Sequence, residues 1–444
     1  MKCEECRELL VAYHKGELDD ERREAVEAHL ARCTACQAEA EGAARLVALL
    51  DRASDPQIVS MAKEIIKEGV EAGASDIHVQ PRSEDYRVRH RIHGVLHDRR
   101  AVAKELGLAL VARIKLMAQM SAAERNTAQD GRIVVTHQKR DYDLRVSSVP
   151  SAVGESVVMR VLDRSLMALS LDDIGMSDDI RATLDDLLHR PNGMLVVAGP
   201  TGAGKSTTLY AAIKSLIRPE IAISTIEDPV EFQIDGVTQV PVNRKAGLDP
   251  AAAMRHVLRQ DPDIILCAEI RTLETLMLCV TAAITGHLLL STMHTDDAIR
   301  AIRRMADVGL ERFLIAETLL GVLAQRLVRR LCPHCAVEHA LTESERQWLK
   351  SAGVEDPPDR LTRGAGCEAC RGTGYRGRMS IHELLVIDDE LRQMIGGDAD
   401  LREVERVAAG KRDPMRHDAA RKVLAGQVAI EEAMRVTAFM PSYD

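Results

Sequence analysis

The chain has 444 residues, of which 29% are charged and 46% hydrophobic, and its formal net charge is −9 at pH 7. That length predicts roughly two to four domains. The acidic balance and the 2% aromatic content disfavour a general nucleic-acid surface, so no direct nucleic-acid partner is expected. The sequence contains neither an apolar run of membrane-spanning length nor a signal-peptide pattern, which predicts a cytoplasmic protein whose membrane link must come through a partner.

Most of the ten cysteines fall in C-x-x-C pairs, two near the N-terminus and two near the C-terminus. In a reducing cytoplasm such pairs favour zinc over disulfides. Cys267 and Cys279 stand alone in apolar segments and are expected to be buried, inert thiols.

Residues 1–50 are predicted to be a helical zinc-binding head. His29 and Cys33 lie four residues apart on one helical face, Cys36 follows, and Cys3 or Cys6 must supply the fourth ligand. This H-x-x-x-C-x-x-C pattern with an upstream cysteine resembles the zinc-binding domain of anti-sigma factors over about residues 1–40, and its upstream cysteine matches Cys3 best. The head is either a partner-binding or redox-sensing module, or a metal-stapled cap too small to fold alone.

A loose segment at residues 53–56 is predicted to separate this head from a mixed α+β domain over residues 51–165. Residues 58–66 and 107–118 have helical apolar spacing, and residues 86–92 and 132–136 have strand-like patterns.

Residues 199–206 read GPTGAGKS, a complete phosphate-binding loop. An apolar strand at 194–198 is expected before it and a helix at 206–213 after it, and a helix N-terminus favours phosphate. The loop predicts a nucleoside triphosphate as ligand, with Lys205 on the β- and γ-phosphates and the Ser206 hydroxyl on Mg²⁺. The predicted nucleotide-binding residues here are Gly199, Pro200, Thr201, Gly202, Ala203, Gly204, Lys205, Ser206 and Thr207.

Three further apolar runs in residues 166–444 each end in a polar residue: Glu227, Glu269 and His294. In a parallel α/β sheet, ligands bind outside the carboxyl ends of the strands, so these side chains are expected to share the edge that carries the loop. Ala268 stands where a magnesium-linked Asp is usual, and Asp263 lies at the start of its strand and is read as structural. Glu269 is the candidate that positions the attacking water.

A second zinc site is predicted within residues 332–378. Two knuckles, Cys332–Cys335 and Cys367–Cys370, offer four thiolates, which complete a closed tetrahedral site and leave no open position for catalysis.

Residues 56–440 closely resemble the assembly ATPases of type II secretion systems and type IV pili. The resemblance rests on Ala74–Pro81, Gln129–Arg132, Asp143–Ser147, Gly154–Arg160, the phosphate loop, an aspartate box at Thr225–Glu231, an atypical Walker B segment at Asp261–Arg271, a histidine box at Thr285–Thr295 and the four C-terminal cysteines. It implies a RecA-like P-loop core preceded by a small PAS-like α+β domain.

The resemblance also implies roles for single residues. Arg132 and Arg145 match arginines that reach the γ-phosphate when the N-terminal domain closes, Glu227 matches the aspartate-box carboxylate, and His287 and His294 match the histidine box, with His294 the γ-phosphate sensor. Such motors are homohexamers that move a membrane platform protein.

Two departures from the family are Ala268 for Gly and Thr272 for Asp, and a third is the zinc head, which replaces a longer partner-binding extension. The predicted function is a cytoplasmic ATPase driving pilus or pseudopilus assembly. The alternative is a nucleotide-switched regulatory protein whose head binds a sigma factor or signalling partner.

Overall fold

The computed structural model describes residues 1–92, 94–138, 140–163 and 169–438. The chain divides into two compact units, Met1–Ser165 and Leu166–Asp444. The sequence-predicted boundary between residues 165 and 166 lies outside the described residues.

The first unit begins with helices and continues as an antiparallel sheet with two helices against it. Its helices are α1 (Cys3–Lys15), α2 (Asp20–Leu30), α3 (Thr34–Ala53), α4 (Pro56–Glu71) and α5 (Lys104–Met117). Its strands are β1 (Ala74–Pro81), β2 (Asp85–Ile92), β3 (Val95–Ala103), β4 (Gln129–His137), β5 (Arg140–Ser151) and β6 (Gly154–Asp163). The sheet order is β3-β2-β1-β6-β5-β4.

Only one face of this sheet is apolar. Ile77 and Val79 of β1 are fully buried and pack with Ile65 of α4 and Ile114 of α5 in one core. Because side chains alternate along a strand, Asp76 and His78 of β1 fall on the opposite face.

The loose segment predicted at residues 53–56 is wrong. Helix α3 continues to Ala53, and only Ser54 and Asp55 precede α4, which Asp55 caps by accepting a hydrogen bond from the Gln57 N–H at 2.7 Å. Apolar burial explains the longer helix, because Ala53 is fully buried in a small cluster with Ala112 and Ala122.

The second unit is an α/β sheet covered on both faces. Its helices are α6 (Asp178–Leu188), α7 (Lys205–Leu216), α8 (Pro250–Val257), α9 (Leu273–Ile284), α10 (Ala298–Asp307), α11 (Arg312–Thr318), α12 (Glu343–Ser351), α13 (Asp389–Gly396), α14 (Leu401–Gly410), α15 (Met415–Leu424) and α16 (Ile430–Thr437). Its strands are β7 (Gly193–Ala198), β8 (Ile223–Glu227), β9 (Val237–Pro241), β10 (Ile264–Cys267), β11 (Leu288–Met293), β12 (Leu319–Leu331), β13 (Ala336–Ala340), β14 (Arg360–Gly364) and β15 (Tyr375–Val386).

The main sheet has the order β15-β12-β7-β11-β10-β8-β9, while β13 and β14 pair separately. From β12 to β9 neighbouring strands are parallel, and β15 joins antiparallel at one edge. Residues of β7 are buried along its whole length, as expected for a central strand with helices on both faces. The fold class predicted from the sequence, an α/β core preceded by an α+β domain, is confirmed.

No helix in the described ranges combines the length and the apolarity needed to cross a bilayer.

Candidate functional site

The phosphate-binding loop connects the end of β7 to the start of α7. Gly199 and Gly204 have backbone φ angles of +152° and +89°, which residues other than glycine rarely adopt. A Cβ on Gly199 would also lie 2.5 Å from the Gln325 carbonyl oxygen. The local sequence therefore forms the tight turn that brings backbone N–H groups to the helix N-terminus, where they can bind phosphate.

Lys205 is held at the base of the loop. Its Nζ donates hydrogen bonds to the carbonyl oxygens of Gly199 at 2.8 Å and Pro200 at 3.1 Å, and the residue is 9% exposed. Burial lowers the pKa of Lys205, while the charge of Glu269 acts in the opposite direction. Ser206 and Thr201 are exposed on the same loop.

Gln325 of β12 fixes the loop from the neighbouring strand. Its Nε2 donates to the Ala203 carbonyl at 2.8 Å, and its Oε1 accepts from the Thr208 hydroxyl at 2.8 Å. Gln325 is fully buried. Our sequence reasoning missed this residue, because a single glutamine in an apolar strand carries no signal until the strand order places it beside the loop.

Glu269 and His294 lie at the carboxyl ends of neighbouring strands. His294 Nε2 is 3.1 Å from Glu269 Oε1, and Arg271 donates to Glu269 Oε2 at 2.6 Å. Burial raises the pKa of Glu269, but the hydrogen bond from Arg271 and the charges of His294 and Arg271 outweigh it, so the net pKa lies below its usual value. Glu269 is therefore ionised at neutral pH, as a group that orients water by accepting its proton must be.

Glu227 ends β8 and is 3% exposed. Its carboxylate accepts hydrogen bonds from Thr225 at 2.5 Å, from Gln239 at 3.0 Å and from the Tyr210 hydroxyl. Tyr210 belongs to α7, the helix that follows the phosphate loop. The Glu227 carboxylate thus joins β8 and β9 to that helix, an arrangement suited to holding the loop and its neighbours in register.

Asp263 has the structural position expected from the sequence. Its carboxylate accepts a hydrogen bond from the Ala222 N–H at 2.7 Å at the start of β10, opposite the edge that carries the loop. Ala268, at the carboxyl end of β10, has no side-chain oxygen that could bind Mg²⁺. Its carbonyl oxygen accepts a hydrogen bond from the Thr292 hydroxyl at 2.5 Å.

His287 does not lie with the phosphate loop. It immediately precedes β11, and its carbonyl accepts from the Gly193 N–H at 3.2 Å at the start of β7. The loop follows the far end of β7, about 17 Å away at roughly 3.3 Å per residue. The histidine box spans the whole strand, and only His294 reaches the carboxyl edge. The assignment of His287 to nucleotide binding, which the resemblance implies, stays a prediction.

Arg132 and Arg145 lie on β4 and β5 of the first unit, directly opposite each other in the ladder. Arg132 forms a two-pronged ion pair with Asp143, in which Nε donates at 2.7 Å. This hydrogen bond, followed by the charge of Asp143, raises the Arg132 pKa against the effect of burial. The Arg132 side chain nevertheless remains 57% exposed.

The four predicted ligands of the N-terminal head come together. Ligand atoms of Cys3, His29, Cys33 and Cys36 all lie within 4.8 Å of one another. Cys6 is buried in the small core of the head instead, which decides between the two candidate cysteines in favour of Cys3.

The donor geometry of the head fits zinc. A tetrahedral site with Zn–S bonds of about 2.3 Å has sulfurs about 3.8 Å apart, and the Sγ atoms of Cys3 and Cys33 are 3.8 Å apart. His29 Nδ1 lies 3.1 Å from the Met1 carbonyl, whereas its buried Nε2 has no hydrogen-bond partner. That is the arrangement of an imidazole oriented through one nitrogen and able to bind a metal through the other.

The C-terminal cysteines satisfy the same test. Their sulfurs are 3.9 Å apart for Cys332 and Cys367, 3.7 Å for Cys335 and Cys370, and 3.7 Å for Cys367 and Cys370. All are far longer than a disulfide bond of about 2.05 Å. Burial raises the pKa of Cys370, but backbone N–H groups of Cys367 and Gly374 outweigh it and lower the value to about 6, so this sulfur is a ready thiolate.

These features define the class of protein as a P-loop nucleotide-binding protein with an additional α+β domain. A family profile described as "Type II/IV secretion system protein" matches residues 51–435, and another described as "Putative zinc-finger" matches residues 3–37. The chain belongs to the type II/IV secretion system protein family.

Similar proteins support this assignment. Type II secretion system protein HxcR of Pseudomonas aeruginosa is 46% identical over 392 residues, covering 88% of this chain and 79% of that protein. Type II secretion system ATPase E of Vibrio cholerae is 43% identical over 389 residues, covering 88% and 77%.

Two solved structures resemble the fold. The Legionella pneumophila ATPase DotB gives a TM-score of 0.63 at 20% identity, covering 85% of this chain and 95% of that one. The pilus retraction motor PilT with bound ADP gives 0.57 at 26% identity, covering 84% and 96%.

Proposed function

We propose that this protein is an ATP hydrolase that powers assembly of a type II secretion pseudopilus or a type IV pilus at the inner membrane. The observation that carries the proposal is the convergence of Lys205, Glu269 and His294 at the carboxyl ends of adjacent parallel strands. The names of the relatives add the secretion context. A purely regulatory role is not favoured, because the relatives that match most of this chain are named as type II secretion system proteins.

Each residue of the arrangement has a distinct task. The loop N–H groups and Lys205 bind the phosphates, and Glu269 orients the attacking water. His294, in contact with Glu269, links that carboxylate to the γ-phosphate, so that its position reports whether ATP or ADP is bound. Arg132 and Arg145 neutralise charge that develops during phosphoryl transfer.

The residues present also fit Mg²⁺. Ser206 is exposed at the start of α7, the position from which a P-loop hydroxyl holds the ion, and Glu269 supplies a nearby carboxylate. Bound there, Mg²⁺ would neutralise charge on the β- and γ-phosphates.

The test of the chemistry is ATP hydrolysis by the full chain carrying Glu269→Gln. We expect kcat to fall roughly 100-fold or more, in the range for loss of a general base, while ATP binding is retained. Glu274→Gln is the matched control, because Glu274 is an exposed glutamate paired with Arg255. Turnover by Glu269→Gln equal to that of the control would remove Glu269 from the mechanism.

The proposed assembly is a homohexamer that engages a platform protein of the inner membrane, with the zinc head offering a site for one additional protein. Affinity purification of Glu269→Gln from detergent-solubilised membranes, with ATP and Mg²⁺ and with or without residues 1–50, tests this. Recovery of a polytopic membrane protein with pilin-like subunits supports the motor. Recovery of only soluble transcription or signalling proteins would favour the regulatory alternative.

A further inference from the structure

The sheet of the first unit has two edge strands, β3 and β4, and they differ in how they are protected. On β3, Asp98 and Arg99 are exposed, and the register against β2 shifts at Arg99, which forms a bulge. Bulges and charges keep sheet edges from pairing with other chains. On β4, the register against β5 is unbroken, and Val134 is 57% exposed. Over residues 133–136 the β4 edge therefore has neither a bulge nor a charge.

The outward backbone groups of β4 are available over the same residues. Along an antiparallel edge strand, alternate residues direct their N–H and C=O groups away from the neighbouring strand. Arg132 belongs to this set, since its N–H donates to the Ala118 carbonyl at 3.3 Å rather than to β5. Val134 and Thr136 follow in the same phase, and within the described ranges their N–H and C=O groups have no hydrogen-bond partner. These groups are thus aligned to pair with one further strand.

A groove of about 550 Å³ follows this edge on the helical side of the sheet. Its lining includes residues 133–137 of β4, Ile66 and Val70 of α4, and Met117 of α5. Because side chains alternate along a strand, every second residue of a strand that pairs with β4 would point into this groove. The groove therefore favours apolar side chains at the central positions that face it.

Two lysines give the groove a positive rim. Lys63 and Lys67 are exposed, lie one turn apart on α4, and both line the groove. Lys67 Nζ is 3.9 Å from Glu71, and that carboxylate also pairs with His137 at 3.2 Å. Lys63 has no ion-pair partner among the residues that the structure describes. The uncompensated charge favours a ligand with acidic side chains at the rim.

We infer that the β4 edge binds an extended, acidic segment of a partner protein, which adds a strand next to Val134 and Thr136. Strand addition takes its affinity from main-chain hydrogen bonds and its specificity from pockets for alternate side chains, and β4 offers both. A small anion would satisfy the lysines but not the row of N–H and C=O groups. The inference goes beyond the proposed ATPase activity and does not depend on it.

The experiment measures binding of two fluorescein-labelled peptides to the full chain by fluorescence anisotropy, without nucleotide. Both peptides have about ten residues, the length of a long strand. Threonine occupies every second position, and the positions between carry central valines and outer glutamates; in the second peptide lysine replaces glutamate. We expect the glutamate peptide to bind roughly tenfold more tightly at low salt. General electrostatics would give the opposite order, because the net charge of the chain is −9.

Methylation of the peptide amides tests the strand pairing itself. A methyl group on one alternate set of nitrogens blocks hydrogen bonds along one side of the peptide only. One set should raise Kd at least roughly tenfold and the other should leave it within about threefold. The sensitive set is the threonine amides if the peptide adds antiparallel to β4, and the intervening amides if it adds parallel.

Variants of the chain locate the site. Val134→Pro removes an outward N–H, a change that edge strands tolerate, and should raise Kd at least about tenfold. Val134→Thr keeps the N–H and the branched shape and should bind as wild type does. Lys63→Glu should raise Kd for the glutamate peptide roughly two- to tenfold. Lys350→Glu, which changes an exposed lysine of α12, should not raise it.

Three results would overturn the inference: no saturable binding of the glutamate peptide, equal binding of the two peptides, or equal effects of the two methylation patterns. Absence of peptide binding together with a lower assembly mass in Val134→Pro, measured by light scattering, would assign the edge to a second copy of the chain and would also overturn it. If Val134→Pro does not fold, the methylated peptides decide the question with the wild-type chain.

Discussion

Replacing Gln325 by leucine should loosen the phosphate loop without touching a residue of the motif. The change removes the donor to the Ala203 carbonyl and the acceptor of the Thr208 hydroxyl, both at 2.8 Å in a fully buried position. Thr208 can turn to the Gly204 carbonyl, 3.4 Å away, but Ala203 loses the bond. One unsatisfied buried group costs about 1–3 kcal/mol.

The same loss sets the effect on nucleotide binding. About 1.4 kcal/mol corresponds to a tenfold change in affinity. If the whole cost of the unsatisfied group falls on the nucleotide-bound state, Kd for ATP should therefore rise roughly 10- to 100-fold. The assay pairs denaturant unfolding with titration of a fluorescent ATP analogue, and Gln347→Leu, an exposed glutamine on α12, is the matched control. If Gln325→Leu keeps both its free energy of unfolding and its ATP affinity at control values, Gln325 does not hold the loop.

Two further predictions concern metal and pH. Cys370→Ser should lower the zinc content of the purified chain by one equivalent, measured by atomic absorption, whereas Cys6→Ser should leave it unchanged; equal zinc loss in both would contradict the ligand assignment. Burial, and then the charge of Lys422, lower the pKa of His382 well below its usual value. The unfolded chain binds a proton at this histidine below pH of about 6.5 and the folded chain does not, so stability falls with decreasing pH by up to about 1.4 kcal/mol per unit. Between pH of about 6.5 and 5.5, the free energy of unfolding, measured with denaturant, should fall less steeply with decreasing pH in His382→Leu than in wild type. His256→Leu, which changes an exposed histidine, should keep the wild-type pH dependence. The same pH dependence in both variants would show that His382 is not responsible.

The local chemistry of this chain could be predicted from its sequence because each motif is continuous. The phosphate loop contains its own strand, glycines, lysine and helix start within about twenty residues, and each cysteine knuckle contains two ligands at a fixed spacing. The convergence of polar residues at the ends of the strands was also predictable. In a parallel sheet the carboxyl ends of strands meet at one edge, so Glu227, Glu269 and His294 were expected to converge before the strand order was known.

What the sequence could not provide was the pairing of distant strands. Gln325 reaches the loop only because β12 lies beside β7, and Arg160 stands next to Arg145 only through the register of β5 and β6. His287 shows the reverse case. It belongs to the same motif as His294, but the motif spans the complete strand β11. His287 therefore lies at the amino end of the strand and His294 at the carboxyl end.

The zinc head is more closely joined to the arginine-bearing domain than a tethered adaptor would be. Cys33 is the N-cap of α3, and Cys36 lies in its first turn, so two of the four candidate zinc ligands lie at the start of this helix. Twenty residues later the same helix ends at Ala53, which packs with Ala112 of α5, and α5 supports the sheet that carries Arg132 and Arg145. A protein that binds the head therefore acts on a continuous helix rather than on a flexible linker. The head and the sheet that carries Arg132 and Arg145 are therefore joined within one unit by packed helices.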